Sequence, residues 1–187
     1  MDFALVEWCN RFGRGGFLDA LCLFICDVRF LVTLWLLLGL AAVVLDRARG
    51  RHVLLGVVLA LVLHFAISEG LIKHAIMGHL VPLRVRPYLA HPSDIVPLGT
   101  LFHDSSFPSS HNASSAAAVS VLCNAYRKTW PLGVAFIASM AFARMHCGMH
   151  YPTDVLTGAT LGLLYGAAAI RIEKAIVKRR TIASAKV

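Results

Sequence analysis

Between residues 73 and 154 the sequence gathers polar side chains beside strongly apolar runs: Lys73, Arg84, Arg86, His91, Ser109, Ser110, His111, Arg144, His146, His150 and Asp154. A charge at the edge of hydrocarbon is costly unless it is used. Lys73, Arg86 and Arg144 can hold the non-bridging oxygens of a phosphoryl group, the guanidinium groups bidentately and the ammonium as a point charge. His111 and His150 supply nitrogens for acid–base or nucleophilic work. Asp154 follows His150 by four residues, so a helix opening near Pro152 lets the carboxylate reach back to the imidazole and fix its tautomer. The plainer reading of Asp154 is a carboxylate favoured by a helix start alone. Pro108-Ser109-Ser110 lead into a helix at His111, whose free N–H groups can cradle phosphate oxygens with Ser109 as a further donor. The set describes a cationic phosphate clamp with acid–base groups.

Other polar residues carry less. Arg84 stays open between a second phosphate and a lipid headgroup. His64, His79, His91, His103 and His146 read as helix packing or exposed loop. Asp94 and Asp104 stand ten apart in a loop, a spacing that suits no divalent-metal site, so neither metal nor cofactor is expected. The five cysteines are an odd number without paired metal spacing and read as small buried hydrophobes.

The elements that must position this set are membrane helices. Of the 187 residues, 58% are hydrophobic and 15% charged, and the mean hydropathy is +0.70, far too apolar for an average soluble domain. Apolar stretches near 30–45, 53–73, 112–125, 130–144 and 154–170 read as spans, and the shorter 17–26 as a sixth or re-entrant element. Residues 2–12 alternate as an amphipathic interfacial helix, ended by the glycines at 13–16. Acidic Asp2 and Glu7 precede the first basic residue, so no removable signal peptide is expected. The net charge of +8 does not point to nucleic acid, because the basic residues cluster between apolar runs as topology signals. Segments 46–51, 126–128 and 178–180 fall on one side, which the positive-inside rule makes cytoplasmic. The loops 74–111 and 145–153 then face the periplasm or exterior of an inner membrane. The expected fold is all-α: one polytopic transmembrane bundle of five to six spans over 1–187, with an interfacial segment 1–16, a motif-bearing core 70–170 and a cytoplasmic tail 178–187.

These residues resemble the type 2 phosphatidic acid phosphatase superfamily of membrane lipid phosphatases, whose pattern is K-x(6)-R-P, then P-S-G-H, then S-R-x(5)-H-x(3)-D. This chain has Arg86-Pro87, Pro108-Ser109-Ser110-His111, and Arg144 followed by His150 and Asp154. Ala143 replaces the motif serine and Ser110 the motif glycine. The lysine departs most: seven positions before Arg86 stands His79, and Lys73 lies six residues further back, so residues 74–79 are expected to loop out. The resemblance implies a metal-independent hydrolase in which His150 is the nucleophile and His111 first protonates the leaving oxygen, then activates the water that cleaves a phosphohistidine. Lys73, Arg86, Ser109, Ser110 and Arg144 then bind the phosphate.

The substrate expected is a lipid phosphate or diphosphate among membrane lipids, undecaprenyl diphosphate first because the chain is minimal. Phosphatidylglycerophosphate, phosphatidic acid, lipid A phosphate and transfer of the phosphate to another lipid stay open, as does the oligomeric state. Of other classes, a small transporter would also place charges on interrupted helices. A haem protein using His64, His111, His146 and His150 leaves the Arg and Ser positions unexplained.

Overall fold

The computed structural model describes residues 2–184. Among these the regular elements are helices: α1 (Asp2–Arg11), α2 (Phe17–Ile25), α3 (Val28–Leu45), α4 (Gly50–His64), a π-helical continuation of α4 (Phe65–Ile76), α5 (Pro87–Ala90), α6 (Ser110–Ala125), α7 (Trp130–His146) and α8 (Pro152–Ser184). Three helical stretches are long and apolar enough to cross a bilayer: Val28–Leu45, Gly50–Ile76 and Pro152–Arg179. α6 and α7, with 16 and 17 residues, are shorter. α8 runs on past Lys178, so most of the expected tail belongs to the helix, and 185–187 lie outside the described residues.

The apolar runs form helices that bury one stripe and leave the other toward lipid. Leu37, Val44, Leu132, Leu156 and Leu164 are each more than half exposed, which in this chain is surface for acyl chains. One core lies between α3, α4, α6 and α8 around Trp35, Val57, Ala117 and Tyr165. A second packs α1 and α2 against the end of α7 through Val6, Cys9, Cys22 and Cys147. The amphipathic α1 therefore sits on the bundle, with Trp8 and Phe12 exposed while Cys9 and Asn10 are buried. α2 ends after nine residues because Asp27 caps a new helix, its carboxylate accepting from the backbone N–H groups of Arg29 at 2.6 Å and Phe30 at 3.2 Å.

The tightest junction is between α6 and α8. A Cβ on Gly158 would stand 2.3 Å from the Ser109 carbonyl oxygen, one on Gly162 2.2 Å from that of Ala113, and one on Gly166 2.0 Å from Ser120 Oγ. Only hydrogen fits at these three successive turns of α8. Facing them, Ala113, Ala116 and Ala117 of α6 are fully buried, the small-residue pairing that lets helix backbones touch in a membrane. The basic connections meet at one end: Arg49, His52, Asn124 and Lys174 line one cleft, and His52 Nδ1 lies 2.6 Å from Glu173 Oε1. Lys73, Arg86, His111, Arg144 and His150 lie at the other end.

Gly162→Leu is therefore expected to destabilise the protein by about 2 kcal/mol or more, as overpacked cores do, whereas Thr160→Leu on the exposed face stays within about 0.5 kcal/mol. SDS-driven unfolding in mixed micelles measures both; equal effects would deny the close seam.

Candidate active site

Each polar side chain is delivered by the end of an element. The π-helical stretch carries Glu69 and Lys73, local geometry that recurs at functional sites. An extended strand of chain brings Arg84 and Arg86 to Pro87, which opens α5. Ser109 to His111 form the mouth of α6, Arg144 lies in the last turn of α7, and Asp154 in the first turn of α8. Between α7 and α8 the chain reverses through Gly148 at φ +72°, where a Cβ would also meet Ile95 at 2.6 Å; only glycine permits it. That turn aims His150 inward.

Six of the eight expected site residues, Lys73, Arg86, Ser110, His111, Arg144 and His150, line one cavity of about 210 Å³. Its remaining wall is largely apolar, with Val28, Leu31, Val32, Trp35, Leu61 and Phe65 descending into the bundle. The spacing problem resolves in three dimensions. The Lys73 side chain is only 7% exposed, with Nζ 3.3 Å from Glu69 and 3.5 Å from Asp104. Asp104 in turn accepts from Arg86 Nη2 at 2.7 Å. Lys73 and Arg86 thus share a carboxylate, while His79 is exposed on the intervening turn. Part of 74–79 ends the helix and the rest turns back, the Gly78 N–H donating to the Val81 carbonyl at 2.6 Å.

His150 is buried, and its position differs from the expected pair with Asp154. Nδ1 lies 3.7 Å from Asp154 Oδ2, beyond a hydrogen bond, and donates instead to the Ser106 carbonyl at 2.7 Å. That bond leaves Nε2 as the unprotonated nitrogen, 3.5 Å from Arg86 Nη1. Burial, then the charges of Arg144, Arg86 and Lys73, push the His150 pKa well below its usual 6.5, so the imidazole is neutral at pH 7. Asp104 is subject to burial, which raises its pKa, but the Arg86 hydrogen bond and charge and then Lys73 outweigh it and hold the carboxyl below its usual range.

The other residues divide. His111 Nε2 donates to the Cys26 carbonyl at 2.9 Å, which leaves Nδ1 without a proton in the neutral ring. Arg144 is 5% exposed with Nε unpartnered among the described residues, a buried donor that awaits an acceptor. Ser109 departs from expectation: its hydroxyl donates to Asn112 Oδ1 at 3.3 Å and does not line the cavity. The Ser110 hydroxyl donates to Glu69, so the serine that replaces the motif glycine joins the lysine's partner. Glu69 and the Ser106 carbonyl were not singled out from sequence, and Asp104 was weighed there only as a metal ligand. Only Glu69 left a signal, standing four before Lys73.

The PAP2 superfamily pattern matches residues 53–178. The chain belongs to the PAP2 superfamily. It is thus a phosphatase of the hydrolase class and a multi-pass membrane protein. It is 36% identical over 134 residues to decaprenylphosphoryl-5-phosphoribose phosphatase of Mycobacterium tuberculosis, covering 71% of this chain and 68% of that one. To undecaprenyl-diphosphatase of Sulfolobus acidocaldarius it is 30% identical over 122 residues, 64% of this chain and 55% of the relative. The fold matches a PAP2 type phosphatidylglycerolphosphate phosphatase from Bacillus subtilis with TM-score 0.64 at 22% identity, over 94% of this chain and 85% of that one. It also matches Aquifex aeolicus LpxE with TM-score 0.59 at 19% identity, over 91% and 94%.

If Lys73 serves as the clamp's third cation, Lys73→Ala lowers the rate by roughly a hundredfold, the usual cost of one donor to a developing oxyanion, and His79→Ala by less than about threefold. Steady-state phosphate release in detergent reads both; a crippled His79→Ala beside an intact Lys73→Ala reverses the assignment.

Proposed function

We propose that this PAP2 member removes the terminal phosphate of a polyprenyl-linked substrate, undecaprenyl diphosphate first, through a phosphohistidine at His150. The observation that carries the proposal is His150, held by its Nδ1 bond to Ser106 with Nε2 beside Arg86 and lining one cavity with Arg144, whose other wall is apolar. A headgroup meets the cations and a hydrocarbon tail has the wall of α3 and α4 to follow.

In the proposed reaction Nε2 attacks phosphorus, a P–N bond forms, and the bond to the leaving oxygen breaks. That oxygen takes the Nδ1 proton of His111, which enters the step as an imidazolium favoured by the bound anion. Water then attacks the phosphohistidine, its proton passes to His111, and the P–N bond breaks to release inorganic phosphate. Arg86, Arg144 and Lys73 stabilise the equatorial oxygens in both steps, so side-chain cations fill the place a metal ion takes elsewhere. The Ser106 carbonyl holds the tautomer, and Asp154 stabilises the imidazolium-like charge that grows as nitrogen is phosphorylated.

The similarity to decaprenylphosphoryl-5-phosphoribose phosphatase favours a second reading, a polyprenyl phosphosugar. Both substrates share a long prenyl tail. The clustering of Arg49, Arg127 and Lys174 at the far end supports a site facing the exterior.

Purified protein is expected to turn over prenyl-linked phosphates at least tenfold more efficiently than phosphatidic acid, phosphatidylglycerophosphate or lipid A at equal surface density, and to keep its activity in EDTA. An impermeant short-chain substrate added to sealed right-side-out vesicles should be hydrolysed without permeabilisation. Preference for glycerophospholipids would overturn the substrate, loss in EDTA restored by Mg²⁺ the mechanism, and latency in the vesicles the orientation.

A further inference from the structure

Arg84 is two residues from the clamp, yet it does not line the cavity. Its guanidinium lies behind Asp154: Nη1 donates to Asp154 Oδ1 at 2.6 Å and Nη2 to Asp2 Oδ2 at 2.9 Å. Thr153 Oγ1 donates to the same Asp2 oxygen at 2.7 Å, and the guanidinium lies over the Tyr151 ring at 4.5 Å. Asp154 is fully buried; its other oxygen, Oδ2, accepts from the Tyr151 N–H at 2.8 Å and stands 3.7 Å from His150 Nδ1. A buried carboxylate stays charged only when paired and hydrogen-bonded. Arg84 is the cation that meets this requirement.

The backbone of Arg84 reaches the same imidazole by a second route. Its N–H donates to Ser105 Oγ at 3.2 Å, and its carbonyl accepts from the Ser106 N–H at 2.9 Å. The Ser106 carbonyl is the group that accepts from His150 Nδ1 at 2.7 Å. Both polar groups facing His150 Nδ1 are therefore tied to one residue, the carboxylate through the Arg84 side chain and the carbonyl through its backbone. A cation bound to substrate would instead face the cavity with Arg86 and Arg144.

We infer that Arg84 is a positioning residue for His150, which holds Asp154 ionised and aimed at the imidazole and does not bind the substrate phosphate. The inference rests on the reading of His150 as nucleophile. Asp2 completes the anchor from α1, so the amphipathic helix buttresses the site from behind.

Only the side-chain route can be removed by substitution, and a double-mutant cycle isolates it. Arg84→Gln is expected to lower kcat roughly tenfold to a hundredfold, the scale on which outer partners of a functional histidine act, with KM within about twofold. Arg84→Lys recovers part of the loss. In an Asp154→Asn background, adding Arg84→Gln costs less than about a further twofold, because the carboxylate it serves is gone. Should Arg84→Gln alone fail to fold, the pair Asp154→Asn and Arg84→Gln/Asp154→Asn, which leaves no unpaired buried charge, still gives the comparison, and equal kcat is expected. Independent, multiplying losses, or a KM that rises for a diphosphate and not for a monophosphate, would overturn the inference and make Arg84 a substrate contact. His150→Ala, run alongside, separates the two readings: retained turnover there removes the nucleophile itself, whatever the cycle returns.

Discussion

The backbone-to-backbone approach of α6 and α8 is the constraint on which the site depends. In a bilayer there is no water to expel between helices, so dispersion contacts at closest approach must hold them. Gly158, Gly162 and Gly166 provide that approach against Ser109, Ala113 and Ser120. The same contact continues to the helix mouths, where the Ser109 N–H donates to the Asp154 carbonyl at 3.1 Å. His111 at the start of α6 and the His150 to Asp154 turn at the start of α8 are thereby kept in one register. A side chain in the seam would part His111 from His150.

Electrostatics then distribute around that fixed frame. Lys73 and Arg86 share Asp104, Lys73 also holds Glu69, and Arg84 holds Asp154. Among the described residues Arg144 has no such carboxylate, and its Nε is left unpartnered. The uncompensated cation lies beside a neutral imidazole, the combination that favours an incoming anionic headgroup. Asp104 sits on an exposed loop and contacts the two cations that the proposed reaction assigns to phosphate oxygens.

Much of this was legible in the chain because membrane helices and charged motifs leave strong patterns. Each stretch expected to span coincides with a helix, and three helical stretches, α3, α4 with its continuation and α8, are long and apolar enough to cross. The cluster of Lys73, Arg86, His111, Arg144 and His150 followed from residue type, order and sidedness. What stayed hidden depends on backbone geometry. The partner of His150 Nδ1 is a main-chain carbonyl at Ser106, which no side-chain pattern announces. Ser109 turned toward Asn112 because both lie on one face of α6, three residues apart. The Lys73 spacing could not be judged linearly, because the π-helical stretch and the Gly78 turn absorb the extra residues. The Gly-x-x-x-Gly-x-x-x-Gly run of α8 did carry a signal, small residues every fourth position, that identifies the seam.

Covalent phosphorylation of His150 is the claim from which the roles of the other residues follow. It is tested most directly in His111→Ala, where water activation is slowed and the intermediate accumulates. After a brief incubation with prenyl diphosphate and a quench in base, which preserves phosphohistidine, mass spectrometry of the peptide containing His150 is predicted to show one added phosphate on that residue. The adduct should be absent from His111→Ala/His150→Ala. Phosphate on another residue, or no adduct while the single variant still releases phosphate, would contradict the account.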